Sequence, residues 1–192
     1  MEGPILDIKI MLIGASSSGK TSLRKRFFRD TFTLLHEPTV GCDFDLRKEK
    51  GSKLQMWDHR GGETFWNYTK RVLHRFDAFV FVFSVAERHT FEYMQKLIRD
   101  IQECQGKDKC KLIVGNKVDK KDAREVSFEE AQMLAQEHGM GYTEASALDG
   151  FNVQECFDQL IRDLTEEQMS KKGQAVNLID TSDTEKKCSI CC

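Results

Sequence analysis

Apolar positions along the chain fall into two alternating kinds of segment. ILDIKIMLI, starting at Ile5, is rich in β-branched apolar residues and runs into a glycine-bounded turn, as a strand feeding a loop does. CDFDL, KLQMW, FVFVFSV and CKLIVG are further short strand-like runs, and several of the stretches between them carry apolar residues at helical spacing. The clearest is Val153, Cys156, Phe157, Leu160, Ile161 and Leu164, one stripe at i, i+3, i+4, i+7. In SFEE, Ser127 and Glu130 form a capping-box pattern and Gly139 closes the helix that follows. Thr90 is the expected cap of a third helix. Strands and helices in alternation predict a parallel sheet covered by helices on both faces, with ligands at the carboxyl ends of the strands. FDAFVFVFSVA, from Phe76, is too short to cross a bilayer and reads as a central strand buried on both sides. After Leu164 the pattern ends: few large apolar residues, no sustained period, mixed charge. Residues 1–165 are therefore expected to form one domain and residues 166–192 a flexible tail. The chain carries no internal repeat.

Composition narrows the function classes. A chain of 192 residues, 40% hydrophobic and 31% charged, supports one domain with a real core. The formal charge of -2, with acids and bases interspersed, offers no basic stripe and argues against nucleic acid as a partner. Seven cysteines, with Cys42, Cys104, Cys110 and Cys156 scattered singly, match neither a disulfide framework nor a zinc ligand set, and a reducing, cytoplasmic setting fits best. Glu2 and Asp7 near the start, without a basic region before a long apolar stretch, do not form a signal peptide. Membrane attachment is then expected to be covalent.

The turn after the first predicted strand is GASSSGKT, which fits G-x-x-x-x-G-K-[ST] between a strand and a helix. Backbone N–H groups of such a loop, here Gly14, Ala15, Ser16, Ser17, Ser18 and Gly19, converge on phosphate oxygens. Lys20 reaches the terminal phosphates, the Thr21 hydroxyl ligates Mg²⁺, and Ser22 completes the predicted phosphate-binding set. NKVD, with Asn116, Lys117 and Asp119, follows the apolar strand CKLIVG. A carboxylate at a strand end accepts hydrogen bonds from N1–H and the exocyclic amine of guanine, a pair adenine does not present. Base choice by buried hydrogen bonds reaches ~10⁴ because the wrong base leaves polar groups unpaired. Each motif alone has a plain counterpart, a serine-rich turn or a polar loop; in this order they point to a guanine nucleotide.

With these two motifs the chain resembles a small GTPase of the Ras superfamily, from about Ile5 to Leu164. The resemblance implies an α/β P-loop NTPase G domain, a mostly parallel six-stranded sheet with helices on both faces, binding GTP or GDP with Mg²⁺. EASAL resembles the family's last guanine-binding loop, which puts Ser146, Ala147 and Leu148 at the base. PTVG places Thr39 where the first switch supplies a second Mg²⁺ ligand, and Phe32 stands where an aromatic edge covers the base, although a core aromatic would read the same. Asp58 matches the carboxylate that holds Mg²⁺ through water, and Gly61 the N–H that contacts the γ-phosphate. VGCDF, KLQMWD and the terminal Cys191 and Cys192 resemble the Rab branch, where a double-cysteine end receives two geranylgeranyl chains. SICC lacks the cysteine fourth from the end that a C-a-a-X signal requires. From Glu166 onward the tail has four lysines against five acids, so stable anchoring would rest on two lipids. The resemblance further implies a monomeric switch in vesicle traffic on the cytosolic face of an intracellular membrane. Its partners would be an exchange factor, a GTPase-activating protein, effectors, and Rab escort and dissociation-inhibitor proteins. Effector contacts are expected at Val40, Gly41, Cys42, Asp43, Phe44, Trp57 and Val72.

The departures are as informative. VLHRF stands where Rab proteins usually carry Y-Y-R-G, so Val72 replaces the third member of an aromatic cluster with Phe44 and Trp57. The hairpin RKEKGSK is about four residues short, and an even loss split between two strands keeps the inward side chains inward. Leu148 stands where the guanine loop usually ends in lysine. WDHRGGE replaces the usual W-D-T-A-G-Q-E, so Gly62 stands in place of the glutamine that orients the attacking water. Lys20, Thr39 and Gly61 of the catalytic set remain. His59 and Arg60 replace small residues; either could compensate by placing positive charge near the γ-phosphate, but as charged loop side chains both are expected to point to solvent. Two functions stay open: a slow GTPase switch, or a non-hydrolysing GTP-bound scaffold that recruits effectors constitutively. NKVD and the absence of a recognisable phosphate-acceptor lid disfavour a P-loop kinase.

Overall fold

The computed structural model describes residues 6–34, 39, 41–49, 52–105 and 107–185. Every short apolar run of the sequence becomes a strand: β1 (Leu6–Ile13), β2 (Cys42–Glu49), β3 (Ser52–His59), β4 (Ala78–Ser84) and β5 (Cys110–Asn116). A sixth strand, β6 (Gly141–Glu144), escapes the pattern because four residues are too few to show a period. The sheet order is β2-β3-β1-β4-β5-β6, and only β2 runs antiparallel to its neighbour. This is the α/β arrangement of a P-loop NTPase G domain.

Alternation at period two explains why β4 sits in the centre. Phe79, Phe81 and Phe83 enter one core, under α3 (Arg88–Gln105) and α4 (Phe128–Glu137). Ala78, Val80 and Val82 enter the other, under α1 (Lys20–Arg29) and α5 (Val153–Glu185). Parallel strands joined by crossover helices bring the loops after β1, β3, β4, β5 and β6 to one edge of the sheet, which is where the site forms.

In the β2–β3 hairpin, pairing is continuous from Cys42 opposite His59 to Glu49 opposite Ser52, which keeps Phe44 opposite Trp57. The Ser127 hydroxyl accepts from Glu130 N–H at 3.1 Å, and Gly139 closes α4 in the left-handed conformation at φ 68°. Thr90, by contrast, is no cap. It lies inside the first turn of α3, buried, where its hydroxyl accepts from Ser84 N–H at 2.9 Å and donates to the Glu87 carbonyl at 2.7 Å. The sequence pattern also misses α2 (Glu63–Thr69).

The stripe that ends at Leu164 does not end the helix. α5 continues to Glu185: residues 166–185 contain no proline and one glycine, Gly173, so their sequence does not break the helix. Glu167 ties its continuation down, with Lys111 at 2.9 Å and Lys171 at 2.8 Å.

Candidate functional site

The loop from β1 into α1 is held by close approach. A Cβ on Gly14 would lie 2.1 Å from the Val82 carbonyl oxygen, so the loop can sit this near β4 only as glycine. Ser17 and Gly19 take positive φ of 62° and 96°, turning the chain into α1. Lys20 is the first residue of that helix. Its buried ammonium donates to the Gly14 carbonyl at 3.0 Å and the Ala15 carbonyl at 2.7 Å, and burial lowers its pKa to about 8.

Beside it, the Thr21 hydroxyl donates to the Asp58 carboxylate, and the Thr39 hydroxyl lies 3.0 Å from that of Thr21 and 3.5 Å from Asp58 Oδ2. Asp58 is fully buried, its other oxygen has no hydrogen-bond partner among the described residues, and burial raises its pKa. Two hydroxyls and a desolvated carboxylate at one point form the oxygen donor set that suits a hard cation such as Mg²⁺.

At the other end of the cleft, Asn116 braces three loops. Its amide donates to the Ser18 carbonyl at 2.9 Å while its oxygen accepts from Ala147 N–H at 3.2 Å. The Ser146 hydroxyl donates to Asp119 Oδ1 at 2.6 Å and fixes that carboxylate. Lys117, at φ 66°, pairs with Glu87 at 2.9 Å. Arg26, a residue that no motif singles out, holds the last loop from α1: its guanidinium donates to the carbonyls of Ala147 at 3.0 Å and Leu148 at 2.7 Å.

These loops enclose a cleft of about 790 Å³. Ser16, Ser17, Gly19, Lys20, Thr21 and Ser22 line it from the phosphate-loop side, and Phe32, Thr39 and Gly61 from above. Asn116, Lys117, Asp119, Ala147 and Leu148 complete its wall. Gly14, Ala15, Ser18 and Asp58 lie beneath the surface, and Ser146 stands behind Asp119. Phe32 lines the cleft and also packs against the core that contains Leu23 and Phe27.

The end of β3 differs from expectation at one residue. His59 does not point to solvent: its ring Nε2 lies 2.6 Å from the buried Thr69 hydroxyl at the end of α2, and burial lowers its pKa. Trp66 of the same helix donates to Asp100 on α3 at 2.7 Å, and Lys70 pairs with Asp100 at 3.1 Å. Arg60 is exposed, as a charged loop side chain should be, and it lines the cleft. Gly61 is pressed onto the phosphate loop, where a Cβ would come within 2.4 Å of Ser16 N. Gly62 precedes α2 at φ 130°, ψ 150°, a region essentially restricted to glycine.

On the outer face, Phe44 stacks on Trp57 at 4.6 Å between ring centroids, and Trp57 meets Phe76 edge-on at 6.0 Å. Val72 and Trp57 each pack against the core that contains Phe76. Gly41, at φ 79°, accepts from Arg60 N–H, and Cys42 is exposed. Asp43 and Asp45 pair with Arg24, whose side chain is only 1% exposed, and Arg29 joins Asp45 at 2.6 Å. This ion-pair network between α1 and β2 is a second feature without a sequence signal. Val40, Cys188, Cys191 and Cys192 lie outside the described residues.

Known proteins share this framework. The Ras family sequence model matches residues 9–166. The GTP-binding protein ypt2 of Schizosaccharomyces pombe is 33% identical over 180 residues, covering 92% of this chain and 90% of the relative. The Ras-related protein Rab-8B of Bos taurus is 36% identical over 173 residues, 88% of this chain and 82% of the relative. The Ras-related protein Rab-13 of Bos taurus is 36% identical over 160 residues, 81% and 79% respectively. With a family match spanning most of the chain and relatives of this similarity over 79% to 90% of their length, the protein belongs to the Ras superfamily of small GTPases, in its Rab branch.

Proposed function

We propose that the cleft binds GTP and GDP and that the protein is a Rab-type switch hydrolysing GTP slowly. One observation carries this reading: buried Lys20 and the Thr21, Thr39 and Asp58 oxygens meet at one end of a cleft whose other end presents Asp119, oriented by Ser146. Mg²⁺ bound to Thr21, Thr39 and, through water, Asp58 would neutralise phosphate charge. Lys20, now satisfied by two loop carbonyls, exchanges them for phosphate oxygens, a stronger charge-assisted partner. Asp119 accepts from N1–H and the exocyclic amine of guanine, and Phe32 covers the base.

Hydrolysis is slow in this reading because Gly62 has no side chain to orient water. The backbone adds a second reason. At φ 130° a glutamine would be strained by ~1–3 kcal/mol even though nothing among the described residues lies within 4 Å of the position its Cβ would take. Gly62→Gln is therefore expected to gain less than ~10-fold in rate while losing stability by about that strain. The experiment identifies the nucleotide retained by freshly purified protein and follows its single-turnover decay in wild type and variant. Retained guanine nucleotide with slow decay supports the reading. Adenine nucleotide, or none, overturns it, and bound GTP that never decays favours the constitutive scaffold.

No helix among the described residues is long and apolar enough to cross a membrane. The attachment we propose is two prenyl chains on Cys191 and Cys192, delivered by escort proteins and reversed by dissociation inhibitors, with exchange factors, activating proteins and effectors acting on the membrane-bound form. One chain gives only marginal partitioning, and the tail has no basic excess to add to it. The Cys191→Ser/Cys192→Ser double variant is expected to move from the membrane to the soluble fraction on cell fractionation. A variant that still pellets rejects these two cysteines as the anchor.

A further inference from the structure

Beside Lys20 the cleft is lined by Arg60, a cation that neither nucleotide motif accounts for. Arg60 follows Asp58 by two residues, and its backbone is pinned on three sides. Its N–H donates to the Gly41 carbonyl at 3.0 Å, tying it to the segment that carries Thr39. The preceding residue, His59, is turned inward and anchored at Thr69, 2.6 Å away. The following residue, Gly61, lies against the phosphate loop, where a Cβ would come within 2.4 Å of Ser16 N and 2.5 Å of Ala15 C. Arg60 is thereby held between the phosphate loop and the Thr39 segment, and its exposed side chain lines the cleft together with Lys20, Thr39 and Gly61. Among the described residues, nothing lies within 4 Å of the place a Cβ on Gly62 would take.

We propose that Arg60 is a catalytic residue supplied in cis, its guanidinium contacting oxygens of the terminal phosphate of GTP. The proposal rests on the nucleotide reading above. In hydrolysis a water oxygen bonds to the γ-phosphorus as the bridging P–O bond breaks; GDP leaves with the electron pair and the phosphate takes up the water proton. Charge shifts during this step onto the bridging oxygen and the transferred group. Positioning and electrostatic stabilisation supply nearly all of the catalysis of phosphoryl transfer. A planar guanidinium donates two parallel hydrogen bonds to phosphate oxygens, which the single ammonium of Lys20 cannot. The chain has lost the residue that would orient water and gained, two positions earlier, one that can stabilise charge.

The test uses the full-length protein, wild type, Arg60→Ala and Arg60→Lys, with three readouts: GDP affinity, single-turnover GTP decay, and formation of a GDP–aluminium fluoride complex without any activating protein. Arg60→Ala is expected to keep GDP affinity within about threefold, because GDP lacks the phosphate that Arg60 serves, while its GTP decay falls by ~10-fold or more and the fluoride complex is lost. Arg60→Lys is expected to recover part of the rate, since charge remains without the fork. GDP bound normally, with decay and fluoride complex unchanged in Arg60→Ala, overturns the role of Arg60 and leaves the nucleotide reading intact. Equal loss of GDP and GTP binding in both variants assigns Arg60 to loop structure and likewise overturns it. Failure of the wild-type protein to bind GDP overturns both.

Discussion

Asp119→Asn is expected to shift base preference from guanine toward xanthine, with the GTP-to-XTP ratio changing by on the order of 10⁴. The carboxylate is acceptor-only and already takes one hydrogen bond, from Ser146 at 2.6 Å, which holds it in place while its remaining lone pairs face the cleft. Guanine supplies two donors to such an acceptor. An asparagine in the same position presents one acceptor and one donor, so the exocyclic amine of guanine meets an N–H, whereas the carbonyl of xanthine accepts from it. The framework survives the change, since Ser146 can reorient its hydroxyl to accept and is also held by Leu148 N–H at 3.2 Å. Competition among GTP, XTP and ATP measures the shift, and an unchanged GTP preference would remove this loop from the base site.

Gly14→Ala should unfold far more readily than the wild type, by about 3 kcal/mol. The added Cβ would sit 2.1 Å from the Val82 carbonyl oxygen and 3.1 Å from its carbonyl carbon. Both are backbone atoms of a strand in which every residue is buried, so no flexible side-chain end can swing away. Relief requires β1 and β4 to separate, where Leu12 pairs Val80 and Ile13 pairs Phe81, or the phosphate loop to lift from the sheet. Either movement also displaces the carbonyl of Gly14 from Lys20, so nucleotide affinity should fall with stability. Urea denaturation, read alongside GDP affinity, checks the prediction; a midpoint equal to wild type would mean the loop tolerates the displacement.

The parts of the site legible in the sequence are those made by consecutive residues at a strand end. GASSSGKT and NKVD could be recognised because a loop that cradles phosphate or selects a base needs several residue types in fixed order within a few positions. The strand runs were equally legible, since burial on both faces leaves a continuous apolar stretch. Legibility failed where a side chain serves a distant residue. Arg26 reaches the carbonyls of Ala147 and Leu148, more than 120 positions away, and Trp66 reaches Asp100 across 34. His59 looked like one more hydrated loop residue until α2 placed Thr69 against it, and Thr90 looked like a cap until β4 brought Ser84 to its hydroxyl.

Local spacing and side-chain inventory were enough for the alternation of strands and helices apart from β6 and α2, for the GASSSGKT and NKVD motifs, and for the glycine at position 62. Long-range packing adds that Gly62 is also a backbone requirement, at φ 130°. It also pairs the buried Arg24 with exposed Asp43 and largely buried Asp45, and sets Arg60 in the lining of the cleft with Lys20. A side chain's partner and a residue's φ depend on where the rest of the sheet places neighbouring loops, and that placement comes from long-range packing of two cores about β4, which no local pattern encodes.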